Sequence, residues 1–192
     1  MPRIAPLSPP YAPDVQSSFD AVMPPGYPPL ALFRTVATSA RAWRKFRAGS
    51  LLDKGPLCLR HREIVIDRTC ALNGCAYEWG VHVALLADAA DLTPSEIAAL
   101  AAADPGAGAW SPGEAALIAA IDALHARAAL TDAEWARLRA HFDDAQILEA
   151  ILLCGFYRTV AYLANGLDLP LEPYGAPLPA GAVAQSNTTR GK

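Results

Sequence analysis

Charge is the scarcest property of this sequence. Only 18% of its 192 residues are charged, against roughly 25% in ordinary globular domains. With 53% hydrophobic residues, the composition excludes a disordered chain, and the net charge of −3 excludes a protein that binds nucleic acid by charge alone. The length fits one domain, large enough to bury a core without disulfide or metal staples. We expect no nucleic-acid partner.

Cysteine and targeting signals are also scarce. The four cysteines are too few and too scattered for the disulfide framework of a secreted protein. The N-terminal sequence MPRIAPLSPP lacks the apolar core of a signal peptide. The longest apolar stretch, residues 145–163, contains Glu149 and Arg158 and is a poor membrane span. We therefore expect a cytoplasmic protein with no membrane partner.

Proline is rare in the middle of the chain. Nine of the 17 prolines fall within the first 29 residues, and four more lie between Pro170 and Pro179. Because proline interrupts helices and strands, regular structure is expected between these ends. The distribution predicts a proline-rich N-terminal arm over residues 1–29, a domain over residues 30–170 and a C-terminal tail over residues 171–192. Both ends are expected to be irregular.

Apolar spacing predicts helices rather than strands, because no stretch of the middle alternates for long enough to indicate a sheet. Apolar residues at three- and four-residue steps predict one helix over residues 30–48, which Gly49 ends. A second helix is predicted over residues 60–72, ended by Asn73 and Gly74. A third is expected from Cys75 to about residue 90.

Three Ser/Thr-x-x-Glu sequences indicate further helix starts, since the hydroxyl can cap the backbone while the Glu reaches back. They place helices at residues 94–102, 112–129 and 132–142. A last helix is expected over residues 144–165, with Gly166 as its C-terminal cap. The prediction is an all-α bundle of six to seven helices. The three boxes are Thr93 with Glu96, Ser111 with Glu114, and Thr131 with Glu134.

Chemically useful side chains concentrate between residues 62 and 82. The break at Asn73 and Gly74 puts Cys75 in the first turn of a new helix, where backbone N–H groups and the helix dipole favour a thiolate. Cys75, Glu78 and His82 share one helix face. Cys75 and His82 are about 10 Å apart along the axis, so Glu78 or a water would have to bridge them. Glu63, on the preceding helix, reaches the same pocket if the two helices fold back on each other.

This set admits several chemistries. It suits thiol redox chemistry, general acid–base chemistry or metal binding. Taken singly, Cys75 is also typical of a small buried hydrophobe and His82 of a structural histidine. Metal binding is the least favoured chemistry, because no paired-Cys or paired-His spacing supports it. We expect no metal and no cofactor.

The stretch from Glu63 to His82 resembles the carboxymuconolactone decarboxylase / alkylhydroperoxidase D (AhpD-like) family. Its pattern is a Glu, twelve residues on a Cys, then Cys-x-x-Cys-x-x-x-His across a helix break; Glu63, Cys75 and His82 match it in spacing. The sequences GPLCLRHRE, CAYEWGVH and FYRTVAYLANGLDLPLEPY are similar to a branch with the centre NGCxYEWxxH. The resemblance covers residues 30–175 and implies an AhpD-like helical fold.

One departure from the family pattern bears on function, because Glu78 stands where the second Cys of the CxxC pair is found. The dithiol cycle of the alkylhydroperoxidase type cannot run there as it stands. Cys70 is a substitute partner for Cys75 only if the break at Asn73 and Gly74 shortens the separation of roughly 8 Å that a continuous helix would impose. A one-cysteine cycle through a sulfenic acid, resolved by an external thiol reductant, is the other route.

The resemblance implies a thiol-dependent oxidoreductase that reduces hydroperoxides through Cys75. Glu63 and His82 would relay protons, Glu78 would tune or position, and Tyr77 would line the substrate pocket. The alternative is a cofactor-free lyase or isomerase of the decarboxylase type, with His82 and Glu78 as acid and base. A second alternative is a non-catalytic ligand-binding member. Family members are typically homo-oligomers built from dimers, which the low charge of this chain also favours.

Overall fold

The computed structural model describes residues 1–183. Within that range the chain forms nine α-helices, more than the six to seven predicted, and no strand. Eight of the nine have at least seven residues, and the fold class is all-α as expected. The helices are α1 Pro13–Asp20, α2 Ala31–Val36, α3 Ala40–Ala48, α4 Leu59–Leu72, α5 Ala76–Leu86, α6 Pro94–Ala101, α7 Pro112–Arg127, α8 Asp132–Arg139 and α9 Asp144–Gly166, with a short 3-10 helix at Pro105–Ala107.

Helix α4 forms the centre of the bundle. Every residue from Glu63 to Ala71 is buried, and α4 packs against α5, α6, α7 and α9. A helix that is buried around its whole circumference must partner its own polar groups. Arg68 shows this, because it is 1% exposed and binds both oxygens of Asp122 and the backbone oxygens of Leu100 and Ala102.

The three predicted capping boxes are all present, at the starts of α6, α7 and α8. A fourth, which the Ser/Thr pattern missed, begins α9 with Asp143 and Gln146. Two of the boxes are tied to the central helix, because the Arg60 guanidinium of α4 binds Glu96 and Glu114. These local signals therefore also orient α6 and α7 on α4.

The predicted single helix over residues 30–48 is wrong, because the chain breaks between α2 and α3. Thr38 turns its hydroxyl onto the backbone oxygen of Thr35, and Ser39 caps α3 by accepting from the N–H of Ala42 at 3.3 Å. Hydroxyl side chains compete in this way with the helical backbone hydrogen bonds. The apolar stripe is then shared by two short helices.

Several other helix ends differ from the predictions; α8, for example, ends at Arg139 instead of residue 142. Helix α5 stops at Leu86, four residues before the predicted end. Helix α9 includes Gly166, and the left-handed residue that ends it is Asp168, with φ +54°. The Leu169 N–H then donates to the Ala164 oxygen at 3.1 Å. Asp tolerates this conformation because its short side chain can bond locally, so it replaced the expected glycine cap.

The proline-rich N-terminal segment is not irregular throughout, because it contains α1. Phe19 of this helix is fully buried and makes edge contacts with Tyr11 and Trp43. The Arg3 N–H also donates to the Leu167 oxygen at 2.8 Å. The segment therefore packs on its own chain.

Helix α9 has 23 residues and a mean hydropathy of 1.5 in its most apolar 18-residue window, so by length and composition alone it could cross a membrane. In the structure 44% of that window is buried, and α9 packs against α4, α5, α7 and α8.

The segment after α9 lies across α5. The Ala176 N–H donates to the Gly80 oxygen at 2.9 Å, and the Trp79 indole N–H donates to the Pro177 oxygen at 3.3 Å. The backbone approach requires glycine, because a Cβ at position 80 would lie 2.8 Å from the Ala176 oxygen. The segment therefore closes over the helix that carries the candidate site.

We predict that Gly80→Ala lowers the free energy of unfolding by about 1–3 kcal/mol, because the new methyl group displaces the crossing segment. The matched control is Gly166→Ala, also helical, where a Cβ meets nothing within 4 Å. That variant should keep or slightly raise stability, since alanine is the better helix former. Urea unfolding measures both. Equal effects of the two substitutions would contradict this placement of the C-terminal segment.

Candidate active site

Helices α4, α5 and α9 bring three side chains together around the imidazole of His82. Its Nδ1 lies 2.7 Å from Oε2 of Glu63, and its Nε2 lies 2.8 Å from the hydroxyl of Tyr157. Oε2 of Glu78 is 3.6 Å from the same Nε2. All four side chains are buried. The expected fold-back of the two helices is therefore present, and Glu63 and His82 are in contact.

Burial alone would lower the pKa of His82, but the Glu63 carboxylate, with help from Glu78 and Asp67, raises it to about 9. The imidazolium then donates from Nδ1 to Glu63 and from Nε2 to Tyr157. Burial likewise opposes ionisation of Glu63, yet contact with His82 and Arg62 lowers the pKa of this carboxyl. Glu63 and His82 thus form a buried ion pair.

Two other carboxyls near the pair behave in the opposite way. Burial raises the pKa of Glu78 to about 7, although His82 opposes this rise. Burial also raises the pKa of Asp67 well above its usual range. Each has one oxygen without a hydrogen-bond partner within residues 1–183, Oε1 of Glu78 and Oδ1 of Asp67. One carboxylate is enough to balance the imidazolium, so the other two favour the neutral acid.

The thiol of Cys75 occupies the N-cap of α5. The Cys70 thiol and the backbone N–H groups of Tyr77 and Glu78 lie close to its sulfur. These contacts outweigh burial and lower the pKa of Cys75. Burial raises the pKa of Cys70 well above its usual range. Of the two buried thiols, Cys75 is the one that favours the thiolate.

Glu78 stands between the thiol and the histidine, as the spacing required. Its backbone N–H lies near the Cys75 sulfur, and its side chain reaches toward His82. The bridge expected between Cys75 and His82 is thus supplied by one residue.

A cavity of about 900 Å³ opens beside this cluster. Four aromatic side chains form its walls, Phe33, Trp43, Phe46 and Phe156. Its buried lining includes Glu78 and Tyr157, which are 5% and 2% exposed. Its size and apolar walls are typical of a small-molecule site. The side chain of Glu78, rather than the Cys75 sulfur, therefore faces the space where a ligand would lie.

Tyr77 does not line this cavity as described by residues 1–183. Its hydroxyl donates to Glu172 of the C-terminal segment and accepts from the Leu32 N–H at 3.0 Å. Glu172 also accepts from the Ala31 N–H at 2.6 Å, in the first turn of α2. Tyr77 thus joins α5 to two chain segments that enclose the site.

The sequence reasoning missed Tyr157 and Asp67. Tyr157 lies 75 residues after His82 and reaches it only because α9 packs on α5. No local pattern marks one tyrosine of α9 over its neighbours. Asp67 had a weak signal, because it is an acid one helical turn after Glu63. Over the described part of the chain, no group of three or more His, Cys, Asp or Glu is placed to hold a metal ion.

We predict that His82 stays protonated at about pH 7.5, because its carboxylate neighbours raise its pKa. Burial lowers the pKa values of His61 and His125, so these two should be neutral under the same conditions and serve as internal controls. Long-range ¹H–¹⁵N correlation spectra of the imidazoles measure all three. Replacing Glu63 by Gln should move the His82 midpoint below about 8.

The same pair makes stability depend on pH. The pKa of His82 in the folded protein, about 9, lies above the usual histidine value of 6.5. Its stabilising contribution is therefore complete below pH 6.5 and is lost as the pH rises through 9. A His82 midpoint near that of His61 would contradict the buried ion pair.

Comparisons with known proteins agree on family and fold. The model of the carboxymuconolactone decarboxylase family matches residues 37–130. An uncharacterized peroxidase-related protein from Silicibacter sp. TM1040 has a TM-score of 0.78 at 16% identity, covering 90% of this chain and 92% of that chain. An AhpD-core, peroxidase-related protein from Ralstonia eutropha JMP134 has a TM-score of 0.76 at 20% identity, covering 88% and 93%. No curated protein sequence matches significantly.

The family match spans Glu63, Cys75, Glu78 and His82, and the two solved structures share the arrangement of helices over most of their length. The part of the chain that carries the candidate site therefore matches the model of the carboxymuconolactone decarboxylase family, and the chain has an all-helical, AhpD-like fold.

Proposed function

We propose that this protein is a thiol-dependent peroxidase in which Cys75 reduces hydroperoxides. The observation that carries the proposal is the environment of the Cys75 sulfur. One thiol and two backbone N–H groups lie close to it at the start of α5, and they lower its pKa despite its burial. A stabilised thiolate is the form that attacks peroxides.

The chemistry needs one proton as well as the thiolate. The Cys75 sulfur attacks the terminal peroxide oxygen, the O–O bond breaks, and the sulfur becomes a sulfenic acid while the peroxide is reduced to an alcohol. The leaving alkoxide takes a proton from the Glu78 carboxyl, whose pKa of about 7 suits proton transfer near neutrality. His82, 3.6 Å from Glu78, returns the proton, and Glu63 holds the imidazolium in place.

The cavity supports a hydroperoxide with an apolar body. Its aromatic side chains favour an alkyl or aryl group. The unpartnered Oε1 of Glu78 is buried and offers a hydrogen-bond site to the polar end of such a molecule. The Glu78 backbone lies near the Cys75 sulfur, although Cys75 itself is buried and does not line the cavity.

The solved structures lend support at the level of the family. Both relatives described above are named as peroxidase-related proteins. We also propose that this chain falls in a branch with the centre NGCxYEWxxH, where a Glu replaces the second Cys. In such a branch the oxidised Cys75 would be returned to the thiol by a reductant outside the protein.

The cavity lining favours a second candidate function. Because Glu78 faces the cavity and Cys75 does not, Glu78 and His82 could act alone as acid and base on a carboxylated lactone, as in a cofactor-free decarboxylase. This reaction needs no thiolate, which separates the two candidates experimentally.

We predict that Cys75→Ser abolishes consumption of cumene hydroperoxide, with a loss of at least about 100-fold, because a serine hydroxyl does not ionise near neutral pH. The matched control is Cys58→Ser, which removes an exposed thiol at the N-terminal end of α4. It should keep full activity. Replacing Glu78 by Gln should slow turnover without abolishing it, since the amide keeps the shape but gives no proton.

The same variants test the rival candidates. Unchanged hydroperoxide consumption by the Cys75→Ser variant would contradict the peroxidase proposal. Decarboxylation of carboxymuconolactone that survives Cys75→Ser and is lost in Glu78→Gln would establish the acid–base function instead. A ligand-dependent rise in melting temperature without turnover of either compound would indicate a binding module.

The homo-oligomer predicted from the sequence would need an exposed apolar surface, and α9 has one. Leu148, Leu152 and Tyr162 are 59%, 52% and 63% exposed and follow one outer face of α9. Exposed apolar residues in a row are typical of a protein interface. We propose that a second copy of the chain covers this face.

We predict that the double substitution Leu148→Glu/Leu152→Glu converts a dimer-based assembly into monomers, because each carboxylate would have to be buried in the contact. Light scattering coupled to size exclusion measures the mass against the chain's 20.3 kDa. Replacing exposed Trp135 of α8 by Glu is the control and should leave the mass unchanged. A monomeric wild-type protein would contradict the proposal.

A further inference from the structure

Helix α4 ends in a motif that places Cys70 against Cys75. Gly74 adopts the left-handed conformation, with φ +60°. The Cys75 N–H donates to the Cys70 oxygen at 2.9 Å, and the Gly74 N–H donates to the Ala71 oxygen at 3.2 Å. This pair of hydrogen bonds is a Schellman motif. In it, the residue after the left-handed glycine packs on the residue four positions before that glycine. Here both of those residues are cysteines.

The motif changes what the spacing of the two cysteines means. In a continuous helix, five residues would separate their Cα atoms by roughly 8 Å, beyond the range of a disulfide. The reversal at Gly74 instead joins their backbones by a hydrogen bond and brings the Cys70 thiol close to the Cys75 sulfur. Both residues are fully buried, so their sulfurs face each other in the core.

We propose that Cys70 and Cys75 form a reversible disulfide, and that Cys70 is the resolving thiol of the peroxidase cycle. The second part rests on the proposed function. After a hydroperoxide converts Cys75 to a sulfenic acid, the Cys70 sulfur attacks the Cys75 sulfur. The S–O bond breaks, the hydroxyl leaves with the Cys70 proton as water, and an S–S bond forms. An external dithiol then reduces the bond, becoming a cyclic disulfide itself and restoring both thiols.

The other two cysteines cannot take this role. Cys58 lies at the opposite end of α4, about 18 Å from Cys70 along the helix. Cys154 lies on α9, where its thiol is near the Thr69 hydroxyl. The position that the family pattern gives to a second cysteine holds Glu78, so the pair in this chain lies before Cys75 rather than after it.

The test uses the full-length protein with Cys58 and Cys154 replaced by Ser, which leaves only the proposed pair. After one equivalent of cumene hydroperoxide, the intact mass should fall by two hydrogen atoms, and neither thiol should react with a maleimide after denaturation. Dithiothreitol should restore both. The dithiol oxidant diamide should close the same bond without any peroxide.

Cys70→Ser in the same background distinguishes two roles of Cys70. One is to attack the Cys75 sulfenic acid, and the other is to stabilise the Cys75 thiolate. The serine hydroxyl can still donate a hydrogen bond to the Cys75 sulfur, so the first turnover should keep its rate. Cys75 should then accumulate as a sulfenic acid that dimedone traps, and turnover supported by dithiothreitol should fall at least about tenfold.

The outcomes separate this inference from the proposed function. If hydroperoxide is consumed while both thiols stay free, or if Cys70→Ser keeps full dithiol-supported turnover, Cys70 is not the resolving thiol. If diamide closes the bond but hydroperoxide is not consumed, the disulfide pair is right and the peroxidase proposal is wrong. If neither oxidant closes the bond, the pairing itself is wrong.

Discussion

The left-handed backbone of Gly74 fixes how α5 leaves the end of α4, and the candidate site depends on this reversal. It folds α5 back along α4, so that Glu63 and His82, 19 residues apart, can bond to each other. The same turn places the N–H groups of Tyr77 and Glu78 near the Cys75 sulfur and brings Cys70 beside Cys75. One conformation that favours glycine therefore organises both the acid–base cluster and the thiol pair.

Burying several ionisable groups together is unfavourable, and the site limits this effect because only two of them carry a charge. Glu63 and His82 take opposite charges and stabilise each other, while burial favours the neutral forms of Asp67 and Glu78. A neutral carboxyl at the cavity, backed by an imidazolium, is a ready proton donor. The arrangement serves a peroxidase and an acid–base enzyme equally well, and the environment of the Cys75 sulfur is what favours the former.

Enclosure of the site comes from both ends of the chain. The N-terminal segment places α1 against the aromatic cluster that walls the cavity. The C-terminal segment crosses α5 at Gly80 and binds Tyr77 through Glu172. Segments that the proline content marked as irregular thus complete the packing around the helices. Proline has no backbone N–H, so a proline-rich segment makes few backbone hydrogen bonds within itself. The two end segments instead use their remaining N–H groups to bond to the helices that they cover.

The sequence by itself determined the helical class, three capped helix starts and the positions of Glu63, Cys75, Glu78 and His82 relative to one helix break. Such signals act over a few residues, through backbone hydrogen bonds and helix periodicity. Tertiary structure alone decided that Tyr157 meets His82, that Glu78 faces the cavity, and that the stripe over residues 30–48 divides into two helices. These features depend on packing between distant segments, and no local pattern records which faces meet. The contact between Cys70 and Cys75 was only partly determined by the sequence. Asn73 and Gly74 predict the helix break, but only the hydrogen bonds at this break show that the two cysteines meet.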